Sequence, residues 1–183
     1  MSVLLSFHSY KGGTGKTTMV GNIGQHLAKD GHKVCLIDSD VNGPGLHSLF
    51  DLKFKNSMIE FLKGQCNIED IIYKVDDDLE LYLIPSRVCE EDISAFFKTP
   101  FEAKKKMLEI VDFVESEYEV EYVIFDSSPG INKSSLLVMN MSDKATVVCT
   151  IDRQDIRGAY VLVSMAKKLK TNVHLVFNKI PID

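Results

Sequence analysis

Short, unbroken apolar runs recur along the chain, and most are followed by a polar or glycine-bearing break. Val3–Phe7, Lys33–Ile37, Leu79–Ile84, Tyr122–Asp126, Ala145–Ile151 and Val173–Phe177 each have the length of a strand. Continuous rather than alternating hydrophobicity is what a parallel strand covered on both faces requires. Between the first two runs, Met19, Val20, Ile23, Leu27 and Ala28 recur with helical period and form one apolar stripe. Gly21 and Gly24 weaken that helix and predict close packing on the sheet, and Gly31 ends it. Residues 46–75 read as short helices: Ser57-x-x-Glu60 is a capping box opening Met58–Leu62, and Asn67 caps Ile68–Tyr73. Thr99-Pro100-Phe101-Glu102 starts a helix that runs to about Phe113 and buries Met107, Leu108, Val111 and Val114. A further helix spans about Gln154–Leu169. Strands alternating with helices predict an α/β fold, a three-layer, doubly wound and mostly parallel sheet flanked by helices.

Composition narrows the class. The chain has 183 residues, most simply a single domain over 1–183 with a substantial core. A formal net charge of −5 argues against a globally basic nucleic-acid binder and leaves a local patch open. Cys35, Cys66, Cys89 and Cys149 are scattered without a C-x-x-C pair, and Cys35 and Cys149 lie inside apolar runs. Reduced thiols, no signal-peptide pattern and no apolar stretch of transmembrane length point to a cytoplasmic protein. Asp76-Asp77-Asp78 reads as a solvated turn, and Lys104-Lys105-Lys106 as a solvated helix face, a weak anionic contact being the lesser reading.

The chemistry concentrates in Ser9–Thr18, S-Y-K-G-G-T-G-K-T-T, set between the first strand and the first helix. Gly12, Gly13 and Gly15 let the backbone curl so that successive N–H groups face an anion, and the helix N-terminus adds its positive end. Lys16 is placed to reach β- and γ-phosphate oxygens and the Thr17 hydroxyl to ligate Mg²⁺. Tyr10 stands where the ordinary phosphate-loop pattern has its first glycine. Two more strands end in acid. Asp38 and Asp40 close the second run, two residues apart and so on one side of it, ahead of Asn42-Gly43-Pro44. An Asx-type turn explains them equally well when they are taken alone. Asp126 closes the Tyr122 run and suits a carboxylate that reaches Mg²⁺ through water.

The stretch K-G-G-T-G-K-T-T, with Lys11 ahead of the glycines, resembles the deviant Walker A box of the MinD/ParA family of ATPases. That resemblance implies an ATP and Mg²⁺ site in which Gly12, Gly13, Thr14, Gly15, Lys16, Thr17 and Thr18 hold the nucleotide. It also implies that Lys11 reaches the nucleotide of a second subunit. By the same resemblance Asp38-Ser39-Asp40 is the Walker A′ box, with Asp40 orienting the attacking water and Asp38 near the metal. Asp126 belongs to the Walker B strand, and Ser127-Ser128-Pro129-Gly130 to switch II, where the Gly130 N–H contacts the γ-phosphate. Asn178 hydrogen-bonds adenine in this reading; an ordinary strand-ending asparagine is the alternative. Pro181 fills the acidic position that guanine recognition by N-K-x-D needs, which favours adenine. Family members continue well beyond this asparagine, so the resemblance implies that their C-terminal portion is absent here.

The function implied is a slow, partner-stimulated ATPase switch that dimerises with ATP and acts in spatial positioning, partitioning or regulation. It would work from the cytoplasm with an activating or cargo protein, or at membrane or nucleoid through partners. DNA or membrane contact has no support in the chain itself. Alternatives are an ATP-dependent ligase of the dethiobiotin or cobyrinate amidation type, whose loops lack the paired K-G-G signature, and a nucleotide-binding scaffold without turnover. Iron–sulfur carriers of this fold need cysteines that are not placed here, and a bacterial tyrosine kinase needs a tyrosine-rich tail.

Overall fold

β1 (Val3–His8) lies in the sheet interior, with β5 (Tyr122–Ser127) on one side and β6 (Lys144–Cys149) on the other, both parallel to it. The computed structural model describes residues 1–91 and 99–181. Beyond β5 come β2 (Val34–Ser39), β4 (Leu81–Ile84) and β3 (Tyr73–Lys74), and beyond β6 comes β7 (Asn172–Phe177). All neighbours run parallel except β3 against β4. The helices are α1 (Lys16–Lys29), α2 (Leu46–Leu49), α3 (Met58–Leu62), α4 (Pro100–Tyr118), α5 (Lys133–Met141) and α6 (Arg153–Leu169).

Each inner strand buries both faces, as its continuous apolar run requires. Val34 and Leu36 of β2 pack with Val20 and Ala28 of α1 and Leu46 of α2. Cys35 and Ile37, the alternate residues, pack with α3, with Met107, Ile110 and Val111 of α4 and with Val138 of α5. α6 covers the β6 end of the sheet through Ala159, Leu162 and Ala166. These are the expected three layers. Gly24 earns its place by packing: a Cβ there would lie 2.5 Å from Leu36 Cδ2.

Several local expectations hold. Ser57 and Glu60 form the capping box of α3, and the Thr99 hydroxyl accepts from the Glu102 N–H at 3.1 Å at the head of α4. Others are corrected. Ile68–Tyr73 is not a helix: a single 3₁₀ turn spans Glu69–Ile71, and Tyr73 then joins β4 as an antiparallel edge. Asn67 does not cap it with its side chain; its N–H donates to the Asp70 carboxylate at 3.0 Å. Tertiary contacts decide this stretch, because the Tyr73 hydroxyl donates to Asn56 O and accepts from the Asn56 N–H. α4 continues to Tyr118 because Val114 still faces the core, and it stops at Glu119 in a left-handed conformation. β6 ends at Cys149 rather than Ile151, since the Thr150 N–H donates to the Asp155 carboxylate at 2.7 Å instead of the ladder. α5 has no counterpart among the expected elements; Asn132 and Ser135 cap it reciprocally.

Candidate functional site

The loop joining β1 to α1 opens at the carboxyl ends of the strands, where open α/β sheets bind ligands. Gly13 and Gly15 have φ of 77° and 97°, a region that side-chain-bearing residues rarely adopt. Gly15 is also the N-cap of α1 and brings no side chain, so the first-turn N–H groups are left for an anion. A cavity of about 590 Å³ opens over this turn, lined by the loop from Gly12 to Thr18 together with Ser9, Asp40, Asn42, Gly43, Pro129 and Lys179. Its volume falls within the usual range for small-molecule sites.

Lys16 is buried, and its ammonium contacts Oδ1 of Asp126 at the end of β5. Asp126 Oδ2 is buried with no hydrogen-bond partner among the described residues, as is the Thr14 hydroxyl. A buried carboxylate oxygen left over beside a lysine suits a metal-bound water. Burial pushes the Asp126 carboxyl above the usual carboxylate range, and Lys16 opposes that shift. Thr17 also lines the cavity, its methyl 3.4 Å from where a Cβ on Gly45 would stand.

The β2–β5 register sets Asp38 directly beside Asp126. The Asp38 carboxylate accepts from the N–H groups of Asp40 (3.1 Å), Gly45 (3.0 Å) and Leu46 (3.1 Å), so it shapes the loop that follows β2. Burial, followed by the Asp126 charge, pushes its pKa up to about 7 against those three bonds. Asp40 does form the Asx turn, accepting from the N–H groups of Asn42 (3.0 Å) and Gly43 (3.1 Å) through Oδ1. The turn and the site are not alternatives, because Asp40 lines the cavity as well.

Outside the cradle, Lys11 Nζ lies 2.6 Å from Asp152 Oδ1, at the head of α6, in an exposed ion pair. Tyr10 packs on the same helix: a Cβ on Gly158 would fall 1.9 Å from Tyr10 Cγ. The Gly130 N–H, expected to face a phosphate, donates to Ser9 O at 2.8 Å and so ties switch II to the loop. Asn178 Nδ2 donates to Thr14 O at 2.8 Å and Lys179 Nζ to Gly13 O at 2.6 Å. Thr18, also expected at the nucleotide, is itself exposed on the first turn of α1 and lines the cavity. Beneath the loop, buried His8 contacts Ser6 Oγ through Nε2 and Ser127 Oγ through Nδ1, each at 2.9 Å. The Ser127 hydroxyl has one proton, which goes to Phe7 O at 2.7 Å, so His8 Nδ1 is the donor of that pair. Burial and then the Lys16 charge pull the His8 pKa down to about 3, and the ring is neutral.

A family model described as an AAA domain matches residues 2–179, almost the whole chain. The chain belongs to the MinD/ParA family of P-loop ATPases. It is 27% identical over 176 residues to the flagellum site-determining protein YlxH of Helicobacter pylori, covering 96% of this chain and 58% of that protein. It is 30% identical over 164 residues to the septum site-determining protein MinD of Bacillus subtilis, covering 87% and 58%. In structure it is similar to a chain of the MinC:MinD cell division protein complex of Aquifex aeolicus, with a TM-score of 0.82 and 27% identity over 98% of this chain and 70% of that one. The chain thus spans somewhat over half the length of the two sequence relatives. Among the described residues, this MinD/ParA chain has no helix long and apolar enough to cross a membrane.

Every site residue expected from the sequence lies at this edge of the sheet. The reading missed Asp152 and the lysine next to Asn178. Lys179 is visible in N-K-I-P, where only Asn178 and Pro181 carry an expected role, and nothing local marks Asp152 as the partner of Lys11.

Proposed function

We propose that this chain is a Mg²⁺-dependent ATP-binding and ATP-hydrolysing switch whose turnover requires a second copy of itself, in one domain formed by residues 1–183. The observation that carries the reading is the buried Lys16–Asp126 pair under an uncapped helix N-terminus, with Asp38 and Asp40 from the neighbouring strand end beside it. Lys16 and the loop N–H groups hold the phosphates and offset the charge that develops on the transferred phosphoryl. Thr17 and Asp126 would hold the metal, which when bound neutralises phosphate charge. Asp38 stands one layer back, because its oxygens already serve three backbone N–H groups. Asp40 retains Oδ2, outside the turn, to orient the attacking water. Gly130 has to exchange Ser9 O for a phosphate oxygen, which makes that bond the switching element. Asn178 has one amide hydrogen on Thr14 O and keeps its other hydrogen and its oxygen for adenine.

Lys11 points away from its own loop to Asp152. An exposed pair of this kind is screened by solvent and contributes little, so Lys11 is released easily to a second subunit's nucleotide. Dependence on a lysine in trans couples turnover to dimerisation and places it under a partner's control. Relatives named for determining flagellum and septum sites support a role in positioning through an activating or cargo protein.

Size-exclusion chromatography with light scattering tests this reading. Wild type should dimerise only with ATP and Mg²⁺. Lys11→Ala should bind ATP, stay monomeric and turn over no faster than background. A Lys11→Ala dimer would sink the trans role.

A further inference from the structure

Asn178 and Lys179 follow β7 directly, and they hold two successive carbonyls of the phosphate loop, those of Thr14 and Gly13. The pair is itself anchored, since the Asn178 N–H donates to Cys149 O at the end of β6 at 2.8 Å. A trans peptide sets its C=O and N–H on opposite sides. Pinning the Gly13 and Thr14 carbonyls to Lys179 and Asn178 therefore turns the N–H groups of Thr14 and Gly15 away from those two side chains. The clasp also closes tightly on the loop: a Cβ on Gly15 would lie 2.4 Å from Asn178 Nδ2. Lys179 takes a left-handed φ of 55° to make its bond, and it lines the cavity.

We infer that Asn178 and Lys179 are positioning residues of the phosphate site: their clasp on the Thr14 and Gly13 carbonyls aims two loop N–H groups at the phosphate chain. This rests on the ATP reading above and adds to it a prediction about which part of the nucleotide senses the end of β7. A residue that only touches base or ribose affects ligands that carry them. A residue that aims loop amides affects any polyphosphate.

The experiment measures binding of ATP and of inorganic tripolyphosphate, each with Mg²⁺, by calorimetry on wild type, Lys179→Met and Lys179→Arg. Lys179→Met should weaken both ligands by a similar factor, about fivefold for one lost hydrogen bond, and Lys179→Arg should restore most of it. Weakening of ATP alone would make Lys179 a base or ribose contact and overturn the clasp, as would unchanged binding of both. Backbone amide resonances supply a readout that needs no nucleotide. Those of Thr14 and Gly15 should move in Lys179→Met while the melting temperature holds, and unmoved resonances would overturn the inference. A wild type that binds neither ligand defeats the ATP reading instead, and the Thr14 and Gly15 resonances then decide the clasp by themselves.

Discussion

Lys16 and Asp126 meet across the carboxyl edge of the sheet, an ammonium from the first turn of α1 against a carboxylate from the end of β5, with side chains 6% and 1% exposed. A buried pair like this is expensive to break from one side, because the survivor keeps its charge without water. Lys16→Met should therefore lose ATP binding and about 3–5 kcal/mol of stability together. Lys16→Met with Asp126→Asn should recover most of the stability in urea unfolding and still bind no ATP by calorimetry. Full stability in the single variant would show that Lys16 is not the counter-charge of Asp126.

Asp40 has two tasks that substitutions can separate. Asp40→Asn keeps an oxygen for the Asn42 and Gly43 N–H groups and loses the carboxylate, whereas Asp40→Ala loses both. Asp40→Asn should bind ATP as wild type does, dimerise persistently and hydrolyse at least about 100-fold more slowly in single-turnover assays. Turnover within a few-fold of wild type would remove Asp40 as the water-orienting group.

Nucleotide choice follows from the segment after β7. Pro181 offers no carboxylate for the guanine N1 and N2 groups, so ATP should bind at least about tenfold more tightly than GTP, or 1.4 kcal/mol. Displacement of a labelled ATP analogue by an equal concentration of GTP would contradict this.

Among the contributions to the pH dependence of the metal-free protein, two are opposed. Asp38 is raised from 3.8 to about 7, so its stabilisation is complete below its unfolded value and is lost as pH rises through 7. His8 is lowered from 6.5 to about 3, so its stabilisation is present above its unfolded value and is lost as pH falls toward 3. Wild type alone mixes them, and Asp38→Asn separates them. In urea titrations with chelator, wild type should lose about 2.5 kcal/mol relative to Asp38→Asn between pH 5 and pH 8. A constant difference across that range would mean that Asp38 titrates at an ordinary value.

The strands, the phosphate loop and the acids at the strand ends were legible because each is written in a few adjacent residues. Val3–Phe7 and Gly12–Thr17 need only local periodicity and glycine conformation to be read, whereas the aspartates at 38, 40 and 126 draw their meaning from the resemblance of the boxes around them. The stretch from Asn67 to Tyr73 was misread because its outcome depends on the β4 edge and on Asn56, not on its own caps. Asp40 forms the turn through one oxygen and lines the cavity as well, so turn and site are not exclusive. Strand order decided the rest. Inserting β5 between β2 and β1 puts Asp126 against both Asp38 and Lys16; burial raises both carboxyl pKa values, with the Asp126 charge adding to the rise at Asp38 and Lys16 opposing it at Asp126. Placing β7 next to β6 brings Lys179 to Gly13 across 166 positions, and the same side of the sheet brings Asp152 to Lys11 across 141. Residue pattern determines elements and the chemistry each one carries, because those depend on neighbours within a turn or two of chain. Which of those chemistries share a site depends on crossovers that no local pattern encodes.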